Sequence, residues 1–325
     1  MDYIEKSPIE TGFAEVFYDR IEPELNMLEG QRQHMHDTGR RKFWLIMGIG
    51  VAVAIGAYVL LRDHDYQLFA VIGSLAIGLF VAGLAKSKAT RGYSGTVNNL
   101  IMPVVCDFWG DTQYDRHAQK GFSLGRFKEL KLVGSYDDDY LEDRIEGTQD
   151  GVRYAMVEAR LTETSTDSDG DSNTSTVFKG LLFRIDLPSP SPTRILITRD
   201  YGKVGNTFAG MFSGNKGRGM PRVETNHPEF ERHFELHADD AQAALDYLPG
   251  AFLDNLMEIA ATADGGPKGM RAAFDGRDFL LVLDRSRPFL RMPGVHEPLD
   301  GISTEINKVF EDFSLVKRII TLLKT

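Results

Sequence analysis

The chain has 325 residues, of which 42% are hydrophobic, so it is long enough to bury a sizeable core. Its formal net charge of −10 argues against a nucleic-acid partner, because binding along a phosphate backbone requires a basic surface. The single cysteine, Cys106, excludes an internal disulfide and a cysteine-rich metal framework, and no motif indicates a cofactor.

Residues 1–42 are predicted to form an N-terminal cytoplasmic helical segment. Apolar residues recur every three or four positions between residues 9 and 38, which places them on one helical face: Phe13, Phe17, Ile21, Leu25 and Leu28. Pro23 falls inside this pattern and predicts a kink or a division of the helix. The face is expected to pack on the soluble domain. A coiled-coil seam is the alternative, although the pattern is short for sustained heptads.

Residues 43–85 are predicted to form a transmembrane helical hairpin. Residues 43–61 and 66–85 contain no charged side chain. At about 1.5 Å of rise per residue, each run nearly spans the ~30 Å hydrocarbon layer of a bilayer. Only residues 62–65 separate the two runs, so the two helices are expected to be antiparallel. The alternative is a buried helix pair of a soluble protein, which is uncommon for two adjacent runs of this length.

The residues that flank the hairpin predict its orientation. Basic residues precede the first run and follow the second: Arg40, Arg41, Lys42, Lys86, Lys88 and Arg91. Because positive residues favour the cytoplasmic side, the chain is predicted to be a multi-pass protein with both termini in the cytoplasm.

Small residues repeat every four positions in both apolar runs. They are Gly48, Ala52 and Gly56 in the first run, and Ser74, Gly78 and Ala82 in the second. This spacing lets helix backbones approach closely, so it predicts packing within the hairpin, with homodimerisation as the alternative.

Residues 92–325 are predicted to form a cytoplasmic α+β domain with an antiparallel sheet and a C-terminal helix. Strand patterns occupy residues 140–146, 152–163, 176–187, 194–198, 230–237, 270–274 and 279–283. The last two flank Asp275-Gly276, a strong hairpin signal. A Ser/Asp/Thr-rich stretch, 164–175, is expected to be an exposed loop. Local hairpins with helices late in the chain favour α+β, and the element order is comparable with a pleckstrin-homology-like barrel.

Three short stretches carry a family resemblance. They read EDRIEG at residues 142–147, VFKGLLF at 177–183 and PEFERHF at 228–234. Together with the hairpin, they resemble a bacterial membrane-protein family catalogued as domain of unknown function number 3137, over roughly residues 40–290. The resemblance implies a bacterial cytoplasmic membrane and supplies no activity or catalytic residue.

The same stretches also have a structural interpretation. Gly180 is expected to mark a bulge or a close backbone approach within a strand. Asp143 and Glu158 are interpreted as turn or cross-strand partners of Arg144 and Lys179.

One group of residues has the chemistry of metal ligands. His233, Glu235 and His237 alternate along the strand predicted at residues 230–237. Next-but-one residues of a strand lie about 6.6 Å apart, so neighbouring side chains can converge on one ion. An exposed polar strand face explains the same pattern without a metal.

Two other motif-like stretches lack the context that their chemistry requires. Gly121-Phe122-Ser123-Leu124-Gly125 matches a nucleophile elbow, but the residues before it are polar where an apolar strand is needed. The acidic stretch 167–173 lacks the glycine and the glutamate of a calcium-binding loop.

The segment 201–223 is basic and glycine-rich within an acidic chain, and it contains no acidic residue. Its basic and apolar side chains are candidates for contact with anionic lipid headgroups of the inner leaflet: Lys203, Phe208, Phe212, Lys216, Arg218 and Arg222. A flexible connection between two parts of the sheet is the alternative.

The sequence therefore favours a non-enzymatic binding or scaffold module, anchored at the cytoplasmic face of a bacterial inner membrane. Its partners would be the bilayer itself and an unknown membrane or cytoplasmic protein. Two alternatives stay open: a membrane-tethered, metal-dependent hydrolase that uses His233, Glu235 and His237, and an accessory subunit of a membrane complex or transporter.

Overall fold

The computed structural model describes residues 2–60, 67–167, 169–199 and 219–324. The chain divides into two compact units. The helical unit comprises Met1–Val104 with Arg291–Lys308, and the sheet unit comprises Val105–Leu290 with Val309–Thr325. The division of the chain into segments 1–42, 43–85 and 92–325 stays a prediction.

The helical unit contains two long helices, α1 (Phe13–Leu60) and most of α2 (Gln67–Trp109). The apolar face predicted for α1 is buried: Phe13, Phe17, Ile21, Leu25 and Leu28 are at most 8% exposed. A single chain therefore buries this face, and no coiled-coil partner is needed.

Pro23 does not divide α1, contrary to one expectation. A π-helical turn, Phe17–Ile21, lies directly before it. A proline ring clashes with the carbonyl four residues earlier, and a widened turn relieves that clash, so the helix continues past the proline.

A buried carboxylate joins the two chain segments of the helical unit. Glu10 is 1% exposed, and its Oε2 accepts a hydrogen bond from the Tyr3 hydroxyl at 2.7 Å. The Asn307 amide also donates to Glu10, and to the Ile4 carbonyl at 3.2 Å. Hydrogen bonds from these neutral groups, and from the Ser7 hydroxyl at 2.6 Å, compensate part of the cost of burying this carboxyl group.

Among the described residues, one helix, Phe13–Leu60, is long and apolar enough to cross a membrane. A shorter apolar stretch, Leu68–Leu84, lies within α2.

The sheet unit contains nine described strands. They are β1 (Thr112–Asp115), β2 (Asp138–Gln149), β3 (Val152–Thr166), β4 (Ser172–Asp186), β5 (Ile195–Arg199), β6 (Arg222–Val223), β7 (Phe234–Ala238), β8 (Met270–Asp275) and β9 (Asp278–Asp284). They form one sheet in the order β1-β2-β3-β4-β9-β8-β5-β7-β6, and every described pairing is antiparallel. The mixed fold of helices and an antiparallel sheet is thus confirmed. The pleckstrin-homology-like order is not observed, because β9 pairs with β4 and separates it from β5.

The Ser/Asp/Thr-rich stretch predicted as a loop lies largely in strands. β3 and β4 remain paired as far as Thr166 and Ser172. Facing hydroxyls interact across this exposed ribbon, with Thr164 Oγ1 3.1 Å from Thr174 Oγ1, and such pairs stabilise a hairpin.

The helices after β1 are short, namely α3 (Gly125–Glu129), α4 (Pro228–His233), α5 (Ala241–Tyr247) and α6 (Gly250–Ala260), except for the long α7 (Ile302–Leu323). Asp240 caps α5 as an N-cap residue, since its carboxylate accepts from the Ala243 amide at 3.1 Å. The turn at Gly276, with φ of 59°, joins β8 to β9 as the Asp-Gly signal predicted.

The segment between β1 and β2 covers part of one face of the sheet. Phe122, Leu124 and Phe127 of this segment belong to the same buried apolar cluster as Val157 and Leu161 of β3. Where this cover ends, the same sheet face opens into a cleft.

Candidate functional site

The most apolar stretches of α1 and α2 are exposed. Large apolar side chains there are at least 44% exposed: Trp44, Leu45, Ile49, Val51, Val53, Ile55, Tyr58, Val59, Leu60, Leu68, Phe69, Ile72, Ile77, Leu79, Phe80, Val81 and Leu84. Only 6% of the most apolar stretch of α1 is buried, which is the opposite of a core helix of a soluble protein. We call these side chains the apolar belt. Exposed apolar surface of this extent marks contact with a membrane or another protein.

Small residues bring α1 and α2 together. A Cβ atom built on Gly50 would lie 3.8 Å from Gly78 Cα and 3.8 Å from the Ser74 carbonyl oxygen. Ala54, one turn after Gly50, is 6% exposed, and Ala82 is 3% exposed. Ser74 and Gly78 of the stripe predicted on the second helix therefore lie at a contact with α1.

The stripe predicted on the first helix is wrong by two positions. Gly48 and Gly56 have no atom within 4 Å of a built Cβ, whereas Gly50 has two. Two residues correspond to about 200° of rotation, so the two sets lie on nearly opposite faces. The sequence offers small residues on both faces, and spacing alone does not choose between them.

Most of the predicted lipid-contact segment lies outside the described residues, including Lys203, Phe208, Phe212, Lys216 and Arg218. The exception is Arg222 in β6. Its guanidinium donates to Glu231 at 2.9 Å and to Glu235 at 3.5 Å. Its charge is thus shared with two carboxylates of the sheet unit.

The three candidate metal ligands do not share a strand. His233 ends α4, while Glu235 and His237 lie in β7. The predicted strand at residues 230–233 is wrong because Pro228 occupies the first helical turn and the His227 ring accepts from the Phe230 amide at 3.1 Å, which starts a helix.

His237 and His233 have different neighbours. His237 is 4% exposed with Nε2 3.4 Å from Glu235, whereas His233 Nε2 lies 3.4 Å from Glu229 on its own helix. In the part of the chain that the structure describes, no three histidine, cysteine, aspartate or glutamate side chains gather as a metal site.

Two buried carboxyl groups lie on neighbouring strands, Asp143 within the first stretch that carries the family resemblance and Glu158 after it. Asp143 sits at a bulge of β2 with φ of 54° and accepts from the Tyr114 hydroxyl. Glu158 of β3 accepts from the Phe289 amide at 2.7 Å. Burial raises the pKa of each group to about 7.

Arg144 and Lys179 are not hydrogen-bonded to these carboxyl groups, contrary to expectation. Arg144 pairs with Asp115 at 3.4 Å and Glu146 at 3.6 Å, and Lys179 donates to the Ser286 carbonyl at 2.6 Å. The bulge explains the difference for Asp143, because an extra residue in a strand turns the following side chains to the other face. Gly180 does mark a close approach, since a Cβ there would lie 2.0 Å from the Leu283 carbonyl oxygen.

A polar cleft of about 460 Å³ opens on the sheet face beyond the β1–β2 cover. Its floor follows a row of paired residues across four strands, from Gln113 through Glu146 and Ala155 to Arg184. Because the Ala155 side chain is small, the cleft is deep between the acidic Glu146 and the basic Arg184. Ser123 lies in the wall, but the described residues that line the cleft include no histidine that could activate it as a nucleophile.

Ion pairs hold the two arginines that line the cleft. Arg184 pairs with Asp278 at 3.0 Å, and Arg153 pairs with Asp186 at 2.6 Å. The cleft was not predicted from the sequence, because its residues come from four strands and a loop that are brought together only by the fold.

Comparisons with known proteins confirm the resemblance over the C-terminal part of the chain. A family model described as "Protein of unknown function (DUF3137)" matches residues 176–325. A search of curated proteins found no match. Among solved structures, the crystal structure of the mycobacterial trehalose monomycolate transport factor A, TtfA, aligns at 10% identity with a TM-score of 0.30. The alignment covers 64% of this chain and 88% of that one, and at this TM-score it supports no argument about fold or function.

Proposed function

We propose that this chain is a non-enzymatic binding or scaffold module, anchored at the cytoplasmic face of a bacterial inner membrane by a two-helix transmembrane hairpin. The observation that carries the proposal is the apolar belt. Transfer of a large apolar side chain out of water is favourable by about 1.5–3 kcal/mol, so the whole belt corresponds to on the order of 25–50 kcal/mol. That exceeds the net stability of a typical domain, about 5–15 kcal/mol.

The lengths of the apolar stretches support a hairpin. Residues 43–60 of α1 rise about 27 Å, close to the ~30 Å hydrocarbon layer. Residues 68–84 form the return helix, and the contact of Gly50 with Gly78 supports pairing of the two. Basic residues at positions 40–42 and at 86, 88 and 91 support cytoplasmic termini.

A binding role for the sheet unit rests on the polar cleft beside the Ala155 row. A protein partner fits a cleft with opposite charges at its two sides, because paired charges across an interface fix its register. An accessory subunit of a membrane complex is one form of the same proposal. The metal-dependent hydrolase has less support, since His233 lies apart from Glu235 and His237.

Membrane extraction and cysteine labelling test the anchoring. The full chain should stay with the membrane after alkaline carbonate washing, and extraction into the supernatant would contradict the hairpin. Native Cys106 is unsuited as a probe, because burial raises its thiol pKa to about 12. The labelling background should therefore be Cys106→Ser.

Two single cysteines then report the orientation to a membrane-impermeant reagent. His64→Cys, between the two apolar runs, should be labelled in cells with the outer membrane opened. Thr174→Cys, on the exposed β3–β4 ribbon, should be labelled only after the inner membrane is broken. The reverse pattern would overturn the proposed orientation.

A further inference from the structure

A second cavity of the sheet unit, about 240 Å³, lies where the end of β9 meets α7. Three arginines and three acidic residues line it: Arg285, Arg287, Arg318, Asp284, Glu311 and Asp312. None of these residues was singled out by the sequence analysis. The first two arginines and Arg318 are some thirty residues apart in the chain, so only the fold brings them together.

A buried ion pair lies at this cavity. Arg285 donates to Asp312 at 2.7 Å, and these residues are 9% and 7% exposed. Arg287 Nη2 lies 3.6 Å from the same Asp312 oxygen. One carboxylate thereby holds two guanidinium groups on one side of the cavity.

The other acidic groups nearby do not hydrogen-bond to Arg285 or Arg287, although these two arginines, after hydrogen bonds from Ser286, lower the pKa of Asp264. Asp284 pairs with Arg271, and Glu311 is exposed. Each guanidinium carries five N–H donors. Among the described residues, the only acceptors hydrogen-bonded to the three arginines are Asp312 and the exposed Glu258, which is 3.4 Å from Arg318. An acceptor-rich anion in the cavity would satisfy these donors.

We propose that this cavity binds the phosphate group of a small ligand, with Arg287 and Arg318 donating to its oxygens and Asp312 positioning Arg285 and Arg287. Guanidinium groups match phosphate geometry with paired hydrogen bonds. The cavity is below the ~300–1,000 Å³ of sites for drug-sized ligands, so it admits a phosphate with a few further atoms. The same group occurs in soluble phosphate monoesters and in the headgroup of an anionic lipid. This site does not depend on the function proposed above.

The test uses the full chain in phosphatidylcholine nanodiscs, titrated with inorganic phosphate and with glycerol 3-phosphate by calorimetry. Arg318→Gln is the test variant, because Arg318 is exposed enough for the fold to tolerate it. Lys317→Gln is the matched control. It removes an equal charge from the residue that directly precedes Arg318 in α7, and this residue does not line the cavity. Arg318→Gln should bind both ligands about tenfold more weakly, and Lys317→Gln should bind as the wild type does.

Thermal midpoints without ligand show whether each variant folds. The difference in affinity between Arg318→Gln and Lys317→Gln is the decisive quantity. Equal binding by Arg318→Gln and Lys317→Gln, or no heat of binding from the folded wild type at millimolar phosphate, would overturn the proposal.

A short-chain, water-soluble phosphatidic acid distinguishes the two sources of the phosphate. Binding that is tighter than for glycerol 3-phosphate, and is lost in Arg318→Gln, assigns the site to a lipid headgroup. Equal binding of the two compounds, again lost in Arg318→Gln, assigns it to a soluble phosphate monoester.

Discussion

Replacing Gly50 by leucine should separate the two helices of the apolar belt. A Cβ atom at this position would be in van der Waals contact, at 3.8 Å from Gly78 Cα and from the Ser74 carbonyl oxygen. The three further carbon atoms of leucine have no space between the two backbones. Overpacking of this kind costs about 1–3 kcal/mol in the free energy of unfolding.

Gly48→Leu is the matched control for this substitution. The change is identical, it lies in the same helix, and a Cβ atom built at Gly48 has no atom within 4 Å. Removing a glycine from a helix interior stabilises it by about 0.5–1 kcal/mol, so the control should be neutral or slightly more stable.

The assay is the thermal midpoint of the full chain in one mild detergent. At about 2–4 °C per kcal/mol for a domain of 150–250 residues, Gly50→Leu should unfold roughly 2–12 °C below Gly48→Leu. Equal midpoints would show that the Gly50–Gly78 contact does not hold the helices together. A lower midpoint for Gly48→Leu would restore the stripe that spacing predicted.

Three further predictions concern the sheet unit. Burial raises the pKa values of Asp143 and Glu158 to about 7, so the native state retains protons that the unfolded chain releases near pH 4. The free energy of unfolding of the wild type should therefore fall as pH rises from about 4 to 7. In Asp143→Asn, the free energy of unfolding measured with denaturant should depend less on pH over that range. Gly180→Ala should lower the denaturation midpoint strongly, because its Cβ would lie 2.0 Å from a backbone oxygen. The control Gly301→Ala should leave the midpoint unchanged, because a Cβ there has no atom within 4 Å. Similar effects of the two substitutions would contradict the close approach at Gly180. Trypsin should cleave the basic segment 201–223 more slowly in anionic than in zwitterionic nanodiscs at low salt, and equal rates would remove the lipid contact.

The elements that the sequence predicted correctly depend on local signals. The Asp275-Gly276 turn and the buried face of α1 each follow from residues that are close to one another in the chain. The strand prediction for residues 230–233 was wrong because it also depended on a local signal. Over four residues, a short helix started by Pro228 and a strand give similar alternation of apolar and polar side chains. Only the cap made by the His227 ring separates the two, and a histidine is not a usual capping signal.

The sheet order and the cavities depend on contacts that are distant in the chain. β4 pairs with β9, which follows about a hundred residues later, and nothing in either strand specifies the other. The cleft beside Ala155 and the cavity at Asp312 exist because of such pairings. Sequence patterns identified candidate ligands where like residues were close in the chain, as at His233 and His237, and missed Arg287 and Arg318, which are close only in the fold.

The Arg285–Asp312 pair is better explained by binding than by stability. Removing two charges from water costs several kcal/mol per ion, and replacing a buried ion pair by apolar residues of similar volume is often neutral or stabilising by about 1–4 kcal/mol. A pair kept only for stability would therefore have little advantage over a leucine and a methionine. This pair also borders a cavity, and its carboxylate holds a second arginine, Arg287, at 3.6 Å. Apolar replacements would fill the same space without presenting donors to that cavity. Burying these charges is explained if the arginines bind a ligand. The phosphate proposed for this cavity is such a ligand.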